Sequence, residues 1–86
     1  MRIIISGSAG FIGFHLSLKL LDDNNVVIGI DSLNDYYDVK LKQERLKLIK
    51  SKAKEVNSKF VFFKIDLTQT NALKEVFDKY KPSRVV

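Results

Sequence analysis

Three glycines at Gly7-x-x-Gly10-x-x-Gly13 join a β-branched apolar run to an apolar amphipathic stretch, and this junction constrains the chain most. Arg2-Ile3-Ile4-Ile5-Ser6 is short, uninterrupted and stopped by glycine, as expected of a strand buried on both faces of a parallel sheet. After Gly13, the polar side chains His15, Lys19 and Asp22 recur at i, i+4 and i+7. They form one solvent stripe on an otherwise apolar helix. In a strand–turn–helix setting Gly7 supplies a tight, positive-φ turn. Gly10 lets a phosphate approach the backbone, and Gly13 lets the helix pack closely on the strand. The N–H groups around Gly10, Phe11 and Ile12 then sit at the positive end of the helix dipole, facing an anion. The spacing is one residue longer than Gly-x-Gly-x-x-Gly. It lacks the Gly-Lys-Ser/Thr of a Walker loop.

The remaining sequence repeats the alternation. Asp22-Asp23-Asn24-Asn25 ends the first helix with turn-forming residues, and Val26-Val27-Ile28-Gly29-Ile30 is a second buried strand stopping at Asp31. A polar stretch rich in Asn, Asp and Tyr follows, in which Asp38 is placed to cap a helix. Leu46, Ile49, Ala53 and Val56 mark the apolar face of that helix, and Phe60-Val61-Phe62-Phe63 makes a third strand running on to Asp66. Thr68 or Thr70 is placed to cap a last helix with Leu73, Val76, Phe77 and Tyr80 on one stripe. Pro82 closes it, and Arg84-Val85-Val86 begins a fourth strand. The order β-α-β-α-β-α-β predicts an α/β fold, the N-terminal part of a Rossmann doubly wound parallel sheet with right-handed crossovers. Residues 1–86 read as one partial nucleotide-binding domain. The first strand is expected to lack a neighbour on one side, exposing an apolar edge open to self-association.

Asp31 turns the glycine loop into a more specific expectation. A carboxylate ending the second strand can accept the ribose hydroxyls of an adenosine and would repel a 2′-phosphate, which favours NAD over NADP. Asp66 ends the third strand on the same sheet edge, within reach of an adenine amino group, and Leu67 lies against the ring. Ser32 and Asn34 add candidate hydrogen bonds to ribose or adenine. The plain alternatives are a ligand-free glycine turn and acids that merely cap strand ends in solvent.

Other features carry less. The chain has no cysteine, which excludes disulfides and thiolate metal sites. No apolar run approaches the ~20 residues of a membrane span, no signal region opens the chain, and the cytoplasm is the expected location. The net charge of +5 belongs to residues 40–55, which hold seven Lys or Arg against two acids. These basic residues are spread around a helix with no interleaved aromatics, the pattern of a solvated surface helix and not of a nucleic-acid binder. Tyr36-x-x-x-Lys40 matches an acid–base pair of short-chain dehydrogenases. It follows the second strand, at the adenosine end of a dinucleotide, and is not assigned catalysis. His15, the lone histidine, makes neither a triad nor a metal site.

Taken together, Gly7-Ser8-Ala9-Gly10-Phe11-Ile12-Gly13-Phe14-His15-Leu16, Asp31-Ser32-Leu33-Asn34-Asp35-Tyr36-Tyr37-Asp38-Val39 and Phe63-Lys64-Ile65-Asp66-Leu67 resemble the extended short-chain dehydrogenase/reductase family. The stretch from Leu33 to Val39, leading into a helix with Leu41, Lys42 and Arg45, is similar to the NAD-dependent nucleotide-sugar epimerases, UDP-glucuronate 4-epimerases above all. The resemblance implies a tightly held NAD that takes hydride from C4 of a UDP-sugar and returns it to the other face of the 4-keto sugar. It carries cofactor contacts onto Gly7, Gly10, Phe11, Ile12, Gly13, Asp31, Ser32, Asn34, Asp66 and Leu67. Ser32 departs from the family's common Asn. The likeness covers about the first quarter of such an enzyme. The family's Ser/Thr and Tyr-x-x-x-Lys group and its sugar-nucleotide domain are expected beyond Val86, so no catalytic residue is assigned and these residues alone are expected to be inactive. A related 4,6-dehydratase or decarboxylase, and a non-catalytic nucleotide-binding module, are the alternatives.

Overall fold

The computed structural model describes residues 1–33, 39–66 and 68–86. Strands β1 (Arg2–Ser6), β2 (Val26–Asp31), β3 (Phe60–Lys64) and β4 (Arg84–Val85) alternate with helices α1 (Phe11–Asp22), α2 (Val39–Glu55) and α3 (Thr70–Tyr80). The strands form one parallel sheet in the order β3-β2-β1-β4, the Rossmann arrangement anticipated from the alternation. β1 pairs with β2 from Arg2↔Val26 to Ser6↔Ile30.

Two-residue periodicity divides the strand side chains between two cores. Ile3, Ile5 and Val27 face α1 and α2, where they meet Leu21, Leu46, Ile49 and Ala53. Ile4, Ile28 and Ile30 point the other way, onto Ile65 and Val76. This covering of both faces explains why β1 and β2 read as continuous apolar runs. Both α1 and α2 end in a left-handed Asn. Asn24 (φ 62) and Asn57 (φ 57) precede residues whose N–H groups reach back to Leu20 O and Ala53 O, a Schellman-type closure that satisfies last-turn carbonyls.

Three expectations need correction. β1 is not an edge: Ile3 and Ile4 pair with Arg84 and Val85, and Ser6 N donates to Val86 O at 3.0 Å. The last three residues are enough to cover its second side, so the premise for self-association through β1 does not hold. The α3 cap is neither Thr68 nor Thr70 but Gln69, with no side-chain cap bond. Gln69 Oε1 instead accepts from Asp66 N at 2.8 Å. Phe77 leaves the buried stripe of α3 and is exposed, while Val76 takes the core position. Asp38, expected to cap α2, lies outside the described residues, as do Asn34, Tyr36 and Leu67.

Candidate dinucleotide site

The carboxyl ends of β1, β2 and β3 open onto a cleft of about 210 Å³ lined by Gly7, Ile30, Asp31, Ser32, Ile65 and Asp66. Four residues singled out from the sequence, Gly7, Asp31, Ser32 and Asp66, therefore meet at one place. Parallel strands put their carboxyl ends on one side, where crossover loops leave room for a ligand.

Gly7 leaves β1 with φ +68, a conformation that costs other residues about 1–2 kcal/mol. Its N–H donates to Ile30 O at 2.7 Å, tying the loop across to β2. At Gly13 a side chain would strike the Gly7 carbonyl, with Gly7 C at 2.8 Å and Ser8 Cα at 3.0 Å. All of these are backbone atoms, so close packing of helix on loop depends on glycine there. Gly10 is the N-cap of α1, and no side chain caps that end. First-turn N–H groups have no partner within their own helix, so those of Phe11, Ile12 and Gly13 form a seat for an anion. Phe11 and Ile12 are 66% and 78% exposed. His15 is exposed too, edge-on to the Phe11 ring at 4.7 Å.

Asp31 is buried and already held by the protein. Oδ2 accepts from Ala9 N at 3.1 Å, and Oδ1 accepts from Leu33 N at 2.9 Å and from Lys42 Nζ at 3.1 Å. A carboxylate offers about four acceptor positions, so a ribose diol donating two bonds would compete with Lys42 at Oδ1. The backbone pays a conformational cost here as well: Leu33 has φ 56, and strain of this kind collects at functional sites. Asp66 is exposed, and its Oδ1 accepts from Thr68 N at 3.1 Å in an Asx turn.

Lys42 and Arg45 correct the reading of α2 as a purely solvated basic helix. Lys42 is 7% exposed, and Arg45 donates to Ala9 O at 3.1 Å with its guanidinium 6.0 Å from the Phe11 ring centroid. Periodicity carried a signal for Lys42, which lies four residues before Leu46 and so extends the stripe Leu46, Ile49, Ala53 by one turn.

A larger cleft of about 600 Å³, lined by Met1, Arg2, Val26, Lys59, Lys79 and Tyr80, lies at the opposite, amino edge of the sheet. The helix ends on that side are carboxyl termini, whose negative dipole ends oppose an anion. Among the described residues no cluster of three or more His, Cys, Asp or Glu could hold a metal ion. No helix among them is long and apolar enough to cross a membrane.

The fold and this loop define a nucleotide-binding α/β class, and comparison with known proteins narrows it. Residues 4–86 match the family described as GDP-mannose 4,6 dehydratase. The chain belongs to that family, within the extended short-chain dehydrogenases/reductases. It is 48% identical over its whole length to Protein CapI of Staphylococcus aureus, covering 24% of that protein. It is 41% identical over 83 residues, 96% of the chain, to a UDP-glucuronate 4-epimerase of Thermodesulfobacterium geofontis, again covering 24% of the relative. A UDP-glucuronic acid 4-epimerase from Bacillus cereus, solved with UDP-4-deoxy-4-fluoro-glucuronic acid and NAD, superposes with a TM-score of 0.72. It is 34% identical, over 91% of this chain and 24% of that one. The chain thus spans about a quarter of the length of these relatives.

Proposed function

We propose that this chain is the NAD-holding part of a nucleotide-sugar 4-epimerase acting on a UDP-sugar, UDP-glucuronate in particular. The observation that carries the reading is the meeting of the positive-φ Gly7 and the Asp31 carboxylate in one cleft at the strand carboxyl ends, with the uncapped α1 N-terminus tied to that cleft through Gly10 N, which donates to Gly7 O at 2.9 Å. Support for the substrate comes from the relatives described as UDP-glucuronate 4-epimerases.

The residues present fit a dinucleotide. N–H groups of Phe11, Ile12 and Gly13 would hold the pyrophosphate without a lysine, Asp31 and Ser32 would take the adenosine ribose, and Asp66 would meet the adenine edge. Asn34 and Leu67 complete the proposed contacts. NAD held there would supply a reversible hydride acceptor for the chemistry at C4 of the sugar. This chain's own residues bind and orient; the proton-transfer group of the reaction is expected outside them, as is the UDP-sugar pocket.

The test is to incubate the full-length protein with UDP-glucuronate and separate the products. UDP-galacturonate is the expected product, with no net consumption of added NAD. The family described as GDP-mannose 4,6 dehydratase favours a second reading, dehydration, which would instead give a 4-keto-6-deoxy sugar from a nucleotide hexose.

A further inference from the structure

Lys42 stands apart from the other basic residues of α2. Its Nζ lies 3.1 Å from Asp31 Oδ1, with the two side chains only 9% and 4% exposed. Arg45, three residues further along the same helix, reaches the glycine loop through Ala9 O. One cation therefore touches the carboxylate to which the proposed function gives the adenosine ribose, and a second bonds the carbonyl of Ala9, the loop residue whose N–H donates to that carboxylate. We infer that Lys42 is a positioning and specificity-determining residue of this ribose subsite. It fixes the Asp31 carboxylate, and its charge sets how strongly the site rejects a dinucleotide carrying a 2′-phosphate. The inference rests on the dinucleotide reading and deepens it.

The physical argument is one of local charge. A lone buried carboxylate repels a phosphate dianion strongly, because nearby charges in a poorly polarisable setting interact far more than in water. An ammonium in contact with that carboxylate cancels its net charge, so the pair presents a dipole whose field fades faster with distance. Asp31 alone would make a strict NAD site; Asp31 with Lys42 makes a softer one. Neutralising Lys42 restores the repulsion, whereas neutralising Asp31 leaves a subsite dominated by the Lys42 ammonium. The two changes push discrimination in opposite directions.

A purely structural role would not do this. Loss of folded protein lowers the apparent affinity for both dinucleotides alike, so the ratio of the two dissociation constants isolates the electrostatic role. Calorimetric titration of the full-length protein with NAD and with NADP, at low ionic strength where charge effects are least screened, gives that ratio. Lys42→Met is expected to raise Kd(NADP)/Kd(NAD) about tenfold, the scale of one charge-assisted hydrogen bond. Lys42→Arg, which keeps the charge, retains the wild-type ratio. Asp31→Asn lowers the ratio by about tenfold, and adding Lys42→Met erases that fall. A Lys42→Met ratio within about twofold of wild type, or an Asp31→Asn effect that persists in the double variant, overturns the role of Lys42 while NAD binding stands. Wild-type protein that binds neither dinucleotide overturns the proposed function and this inference with it.

Discussion

A methyl group at Gly13 would run into the Gly7 carbonyl and lie 3.0 Å from Ser8 Cα, and neither can swing aside because both belong to the backbone. At Gly7 the same methyl meets nothing within 4 Å and only the positive φ is penalised. The two glycines of one motif therefore predict different losses. Gly7→Ala should cost about 1–2 kcal/mol. Gly13→Ala should cost more, about 3 kcal/mol, since overpacking against fixed atoms forces helix and loop apart. Urea midpoints of the two variants check the order, and a Gly7→Ala loss equal to or above that of Gly13→Ala would contradict it. Asp31 shows what residue-level reading misses. Its place at the end of β2 was legible from the strand pattern, and the Leu33 N–H two residues on is a local Asx-type donor, but the donors from Ala9 and Lys42 arrive from the glycine loop and α2. No local pattern reports those two.

Helix α2 ties the site to the rest of the fold. Its core face was legible because Leu46, Ile49 and Ala53 keep helical spacing. Lys42, on the same stripe, was hidden because lysine is among the residues least expected inside. Ile49 is fully buried, and Ile49→Ala should cost about 2–5 kcal/mol. A chain of this length has about 4–13 kcal/mol in all, so thermal unfolding should shift by many degrees or vanish. Further along, Lys52 Nζ donates to Asp22 on α1 at 2.9 Å. That hydrogen bond, chiefly, raises the Lys52 pKa above its ordinary 10.5, and partial burial offsets it only in part. A raised pKa in the folded state means that the contribution is fully present below the unfolded value and is lost as pH climbs through the folded one. The melting-temperature gap between wild type and Lys52→Met should therefore hold from neutral pH to about 10 and close at higher pH. A gap that stays constant into strong alkali would show that the pair contributes nothing. The α3 cap was misread for a related reason: Asp66 and Gln69 bond each other across the turn, a pairing that propensity at Thr68 and Thr70 does not report.

At the scale of the whole molecule, one sheet edge gathers the uncapped α1 N-terminus, the glycine loop and Asp31, and the other gathers Arg2, Lys59 and Lys79. The sequence made the alternation and the parallel order legible, since each buried strand ends in a turn signal or an acid. Arg84-Val85-Val86 was legible as the start of a strand, but its pairing with β1 was not, because strand order in a sheet is set by long-range contacts that no local pattern carries. The smaller cleft at the carboxyl edge and the larger one at the amino edge make opposite predictions for where a dinucleotide sits. Helix dipoles and the Asp31 carboxylate favour the first, and the basic groups Arg2, Lys59 and Lys79 are all that recommend the second. An amide-resolved NMR titration of the protein with NAD separates them directly. Shifts are predicted at Gly7, Gly10, Phe11, Ile12, Gly13, Asp31, Ser32 and Asp66, with Arg2, Lys59 and Lys79 unmoved. Shifts confined to Arg2, Val26, Lys59, Lys79 and Tyr80, or no shifts at all at saturating NAD, would contradict the account.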